Sequence, residues 1–209
     1  MIRMKARGLT IIGGAVVAAS LLGVAAPGHF GGARQAAVAR PAAVTGQMRM
    51  GMHLSIAKPF PSWGALKGAA TFIVLGTAGA QQSTVDQHGQ PWTTTTVQVE
   101  RSLAAKGTAD ATVRVRQLGG VTPNGTLAQS EDFPLLTVGG RYLLFLTPSP
   151  LSGEYYPVGA PQGVFAVTAD GHVNSFSAVA AQIGVPVSGA TLDQIIQLIQ
   201  AAPALDVTP

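Results

Sequence analysis

Arg141-Tyr-Leu-Leu-Phe-Leu-Thr147 (RYLLFLT) decides how the rest of the chain is read. It is nearly continuous in apolar residues and is followed by Pro148, so it fits a central strand closed where a proline removes a ladder donor. Two upstream stretches carry the other strand signature. Thr93 to Leu103 (TTTTVQVERSL) sets Val97 and Val99 against Gln98 and Glu100, and Ala111 to Gln117 (ATVRVRQ) sets Val113 and Val115 against Thr112, Arg114 and Arg116. That alternation is the mark of half-buried strands. Ala70 to Ala78 (ATFIVLGTA) is a further β-branched and aromatic run. Tyr155 to Val158 and Gly163 to Phe176 follow the central strand, the latter folded back at Asp170-Gly171 by a hairpin turn.

Five or six short strands joined by Gly-rich and Pro-rich connections predict a mainly β domain over residues 69–177. The expected form is a small antiparallel Greek-key or OB-like barrel, because closing the sheet removes its exposed edges. Residues 178–209 change period and read as one amphipathic helix with a tail. Leu192, Ile195, Ile196 and Ile199 recur at helical spacing, Thr191 with Gln194 makes a capping box, and Pro203 marks the stop. The polar side of that helix (Asp193, Gln194, Gln197, Gln200) carries no base, which favours packing on the sheet over a membrane surface.

Working toward the N-terminus, the composition changes. Of 209 residues 47% are apolar and 11% charged, with 26 Gly, 14 Pro, no Cys and a net charge of +4. The positive charge is not spread evenly. Arg3, Lys5 and Arg7 stand before the uncharged apolar run Leu9 to Ala26, and Arg34, Arg40, Arg49, Lys58 and Lys67 follow it, while all the acids lie further on. Residues 1–26 have the layout of a signal peptide or signal anchor, cationic start and apolar run ending in small side chains. Residues 27–68 are rich in Ala, Gly and Pro without apolar periodicity and read as a disordered basic linker. Met48, Met50 and Met52 alternate there, a soft donor set with one neighbouring histidine, too little to imply a copper site. The acidic balance after the linker repels phosphate, so nucleic acid is not an expected partner.

The strands and turns also carry a resemblance. Thr95-Thr-Val-Gln-Val-Glu-Arg-Ser-Leu103 with Lys106-Gly107, then Glu131-Asp-Phe-Pro-Leu135, Gly140-Arg-Tyr-Leu-Leu-Phe-Leu146, Pro161-Gln-Gly-Val-Phe165 and Asp170-Gly171 are similar to motifs of an uncharacterised family of exported bacterial β-barrel domains. The resemblance spans roughly residues 69 to 200 and implies an extracytoplasmic OB-like or netrin-like barrel. Ala104-Ala105-Lys106 stretches the Leu-Lys-Gly step of that pattern. It transfers no catalytic residue, and the cysteine used by netrin-like protease inhibitors is missing.

The chain contains no Gly-x-Ser-x-Gly, His-Glu-x-x-His, Ser-x-x-Lys or phosphate-loop motif. The repeated polar constellation is Asp86-Gln87-His88 and Asp170-Gly171-His172. As a metal site these residues would serve an extracytoplasmic metal-assisted hydrolase; as turn residues their carboxylates bond nearby backbone, the reading preferred here. Arg114 and Arg116 share one strand face and are expected to pair across strands with Glu100, an anion-binding patch being the functional alternative. Trp92, Tyr155, Tyr156 and Gln162 lie in or near loops and are the candidate binding residues. No cofactor is implied. The expected function is that of a non-enzymatic exported or envelope domain, extracytoplasmic in a bacterium, that binds an envelope protein or cell-wall polymer through barrel loops and meets a membrane only through an uncleaved N-terminal segment.

Overall fold

The structure is a computed structural model that describes residues 49–51, 59–104, 106–151, 153–187 and 189–206. The signal-like segment, Met48, Met52 and most of the linker lie outside these residues. The elements are β1 (Arg49–Gly51), α1 (Trp63–Ala69), β2 (Phe72–Val85), β3 (Pro91–Ala104), β4 (Thr112–Leu118), β5 (Gly120–Val121), β6 (Leu127–Gln129), β7 (Arg141–Pro148) and β8 (Glu154–Pro157). After a 3-10 turn (Ala160–Gly163) come β9 (Val164–Val167), β10 (Val173–Ser175), α2 (Ala178–Ile183) and α3 (Leu192–Ala201).

The fold is mainly β, and its large sheet is mixed. Its order is β10-β9-β7-β2-β3-β4-β8, and β8 bonds to β7 as well as to β4. The pairings therefore lead from β2 through β3, β4 and β8 to β7 and back to β2. This differs from the single closed antiparallel barrel expected from sequence in three respects. The β4–β8 pairing is parallel, with Arg114 opposite Glu154; β9 and β10 extend from β7 beyond that circuit; and a separate three-stranded sheet, β1-β6-β5, includes the parallel pair β1–β6. A sheet with such an extension keeps edges that a closed cylinder lacks.

Alternation along β2 and β7 divides the interior in two. Val74 and Ala78 with Tyr142, Leu144 and Leu146 face a cluster that includes Val97, Val113, Val115 and Phe133. Ile73 and Leu75 with Leu143 and Phe145 face the other cluster, built with Trp63, Leu66, Phe165 and the α3 residues Ile195, Ile196 and Ile199. A strand buried on both faces needs apolar residues at every position, which is why RYLLFL shows no alternation. The α3 stripe thus covers a sheet face. Its N-terminus carries the Thr191–Gln194 capping box, worth about 1 kcal/mol by the usual cost of losing a cap. The Asp170-Gly171 hairpin also forms: Gly171 has φ 84° and the Thr168 N–H donates to the His172 carbonyl.

The folded region begins earlier than residue 69. α1 lies within the stretch read as linker, and its Trp63 and Leu66 are core residues. Lys67, counted among the bases of that linker, reaches the end of α3. Its Nζ donates to the Ile199 and Ala202 carbonyls at 3.0 and 2.9 Å, supplying charge and donors to the C-terminal end of α3. The tail after α3 returns over Gly64 and Gly68, where a Cβ on Gly68 would stand 1.7 Å from the Leu205 carbonyl oxygen, and the Leu205 N–H bonds the Gly64 carbonyl.

Candidate functional site

Cross-strand partners in a ladder share a face, and this places a group of side chains on the outward side of β3, β4 and β8. Trp92 opposes Leu118, Thr94 opposes Arg116 and Thr96 opposes Arg114. On β8, Glu154 opposes Arg114 and Tyr155 opposes Val115. Tyr156 therefore falls on the Glu154 side and Tyr155 on the core side.

At the centre of this face is a buried ion cluster. Glu154 accepts from Arg114 Nη2 at 2.8 Å, Arg116 Nη1 at 3.2 Å and Thr94 Oγ1 at 3.2 Å. The Glu154 and Arg116 side chains are 7% and 9% exposed, Arg114 51%. Two guanidinium groups on one carboxylate leave the cluster one charge positive. Arg116 Nε is buried without a hydrogen-bond partner among the described residues, and the guanidinium carbon stands 4.6 Å from the Trp92 ring centroid. The indole face gives that cation an electrostatic partner where water is excluded.

Trp92 is held from three sides. It covers Arg116, its ring lies 5.8 Å from that of Tyr156 at 34°, and its Nε1 donates to Asp86 Oδ2 at 3.1 Å. Asp86 Oδ1 accepts from the backbone N–H of His88 and Gln90 at 2.8 and 3.0 Å. The Gln90 bond first, then the Trp92 bond, holds the Asp86 carboxyl below its ordinary value. Beside these residues opens a cavity of about 230 Å³, whose walls are Trp92, Tyr156, Leu118 and Phe133, with Pro157 and Ala160 at one side and Arg116 as its charged residue. A second hollow of about 400 Å³ lies among Asn174, Ser175, Ser177, Pro186 and Val187 and has no charged wall.

Of the four residues expected to bind, Trp92 and Tyr156 meet in this cavity and two lie elsewhere. Tyr155 packs edge-on against Phe72, ring centroids 5.1 Å apart. Gln162 is 1% exposed. Its Oε1 accepts from the Phe60 N–H at 2.7 Å and its Nε2 donates to the Gly159 carbonyl, joining the chain before α1 to the 3-10 turn. The expected Glu100 partnership is also different. β4 reaches only to the level of Gln98, and Glu100 sits at the bulge where Leu75 pairs with Arg101 and Gly76 with Val99. The bulge aims it instead at Arg141, 2.7 Å away, and at the Thr77 hydroxyl. The Arg141 bond leads in holding its carboxyl below the ordinary value.

The two Asp-x-His units remain turn residues. Asp170 accepts from the Thr168 hydroxyl, the main cause of its lowered pKa, and lies 3.3 Å from His172 Nδ1. Among the described residues no group of three or more His, Asp or Glu is gathered to hold a metal ion, so Asp86, His88, Asp170 and His172 are not assembled as the hydrolase alternative requires. Glu154, Leu118 and Phe133 were not foreseen as site residues, and Arg116 was expected as an ion-pair partner of Glu100; the alternation of Val115-Arg116-Gln117-Leu118 is the one signal that puts Arg116 and Leu118 on a common face. No helix among the described residues is long and apolar enough to cross a membrane. No protein-family model, curated protein sequence or solved structure matches the chain.

Proposed function

We propose that the chain is an exported, non-enzymatic binding domain whose recognition surface is the outward face of β3, β4 and β8, an OB-like use of the sheet. The observation that carries this reading is the Trp92–Tyr156 pair walling an apolar cavity over a buried Arg116–Glu154 ion pair. A cavity of about 230 Å³ is below the size that encloses a drug-like molecule and suits one anchoring side chain. Its walls are aromatic and apolar, which favours an apolar or aromatic side chain from an envelope protein. Arg114, half exposed on the same face and bonded to the same Glu154 as Arg116, adds a positive charge that favours an acidic partner segment. The signal-like N-terminus and the resemblance to exported bacterial domains support a location outside the cytoplasm.

Tyr156→Ala opens one wall without touching the Glu154 cluster. In a capture experiment with envelope fractions, the wild-type chain is expected to retain a defined partner and Tyr156→Ala to retain at least about thirtyfold less, the loss typical of a central aromatic anchor. Equal retention by both proteins, with circular dichroism unchanged, rejects the site.

A further inference from the structure

The cavity beside Trp92 has a cation in its wall and no acid. Arg116 is its charged residue, and the other walls are apolar or aromatic, Trp92, Tyr156, Leu118 and Phe133 among them. A guanidinium has five N–H donors and no acceptor. The Arg116 side chain is 9% exposed, so water does not readily serve them. Glu154 takes its Nη1 at 3.2 Å, long for a charge-assisted bond, while Arg114 reaches the other carboxylate oxygen at 2.8 Å. Arg116 Nε is buried and bonds to no described residue. A buried donor without an acceptor is unfavourable, more so on a cation, and an acceptor arriving from outside relieves it.

Charge points the same way. Arg114 and Arg116 share the single carboxylate of Glu154. The acid that supports Trp92, Asp86, turns its oxygens to the indole Nε1 and to the His88 and Gln90 N–H groups, so it does not neutralise the excess. One further negative charge balances the cluster. Phosphate brings about two charges and no apolar surface to match the walls. A neutral carbonyl satisfies a donor and leaves the charge. A carboxylate does both, and a guanidinium binds it through paired N–H bonds.

Cation and aromatic wall are also close together. The Arg116 guanidinium carbon stands 4.6 Å from the Trp92 ring centroid, and the Tyr156 ring 5.8 Å from the same indole, separations that one ligand residue spans. Inside a polypeptide an apolar side chain and a carboxylate belong to different residues; at the C-terminus one residue carries both. Resting on the reading of this cavity as a binding site, we propose that its ligand is the C-terminal residue of a partner chain. An aromatic or large aliphatic side chain lies against Trp92, Tyr156 and Leu118, and the terminal carboxylate pairs with Arg116. The cavity of about 230 Å³ suits one such residue, and Arg114 on the same face adds to the attraction at longer range.

The test titrates the peptide Ser-Gly-Gly-Phe, with a free terminus or as its C-terminal amide, into the full chain and follows the Trp92 Nε1–H and Arg116 Nε–H resonances. The free acid is expected to shift both signals and to bind at least about tenfold more tightly than the amide, the loss typical of a missing bond to a charged group. Ser-Gly-Gly-Gly keeps the carboxylate without the side chain and is expected to bind at least about tenfold more weakly than the phenylalanine peptide. In the double variant Glu154→Gln with Arg116→Met the buried charge and its partner leave together. The preference for acid over amide then falls below about fivefold, the most that the exposed Arg114 supplies. The comparison of acid with amide in the wild-type chain needs no variant, so it stands even where the double variant fails to fold. Equal binding of acid and amide overturns the terminal-carboxylate assignment and leaves the cavity as a site for an internal side chain. No shift with either peptide overturns the assignment too, and the Tyr156→Ala capture experiment then decides the cavity by itself. A glycine-ended peptide that binds as tightly as the phenylalanine one puts the carboxylate outside the cavity. Binding of 3-phenylpropionate as tightly as the peptide gives the cavity to a free organic acid instead of a chain end, and both of these results overturn the proposal.

Discussion

Glu154→Gln tests the ion cluster beneath Trp92. The substitution keeps the side chain's shape and removes its charge, so the loss comes from the cations left behind. Arg114 is half exposed, and water replaces its partner at a cost of about 0–1 kcal/mol. Arg116 is 9% exposed and has no such recourse; leaving a buried cation without its partner costs about 3–5 kcal/mol. The retained amide oxygen and the indole face recover part of this, so the expected destabilisation is about 3 kcal/mol. Urea unfolding followed by tryptophan fluorescence measures it as a lower midpoint at unchanged slope. The double variant Glu154→Gln with Arg116→Met removes the buried charge along with its partner and is expected to regain most of the loss. A single-variant loss below about 1 kcal/mol, or a double variant no more stable than the single one, would refute the claim that an uncompensated Arg116 dominates.

Three other outcomes are expected. Gln117, 1% exposed, donates to the Pro134 carbonyl and accepts from the Leu136 N–H; Gln117→Leu strands both backbone groups and costs about 2–4 kcal/mol, with faster hydrogen exchange at Leu136. Because Arg141 holds Glu100 below its ordinary carboxyl value of 4.5, the pair's stabilisation is complete above that pH and declines as the pH falls through the lowered folded value. Melting temperatures measured along an acid series should therefore show an acid-side decline that is smaller in Glu100→Gln. Gly68→Ala drives a methyl into the Leu205 carbonyl and is expected to lift the tail off α1 while α1, gaining helix propensity, persists; proteolysis near Leu205 should accelerate, and an unchanged rate would contradict the close approach.

Much of the fold was legible because burial writes a period into sequence. Val97/Val99 and Val113/Val115 alternate since β3 and β4 each have one covered face, and RYLLFL does not alternate since both faces of β7 are covered. The capping box of α3 and the Asp170-Gly171 hairpin are local devices, readable from a few adjacent residues. The unread parts depend on contacts distant in sequence. Trp63 and Leu66 of α1 belong to a core whose other members, Phe145 of β7 and Phe165 of β9 among them, lie far along the chain, and the surrounding Gly, Ala and Pro hid them. β2 was expected to stop at Ala78, because Gln81-Gln82-Ser83-Thr84 is polar on both faces and thus carries no periodicity. The site was half legible for the same reason. Trp92 and Tyr156 stood out by type, but whether an aromatic residue points outward depends on β8's register with β4, which separates Tyr156 from Tyr155. Glu154, the acid that joins both arginines, gave no local sign of its partners.

The latch among Gly64, Lys67 and the residues after α3 brings the tail back onto α1, with Leu205 bonded to Gly64. A short peptide joining that tail to the stretch ahead of α1 would allow circular permutation, the chain being reopened at the exposed Asn124-Gly125 turn. Such a rearranged chain would keep the face bearing Trp92 intact while separating it from the residues ahead of the join.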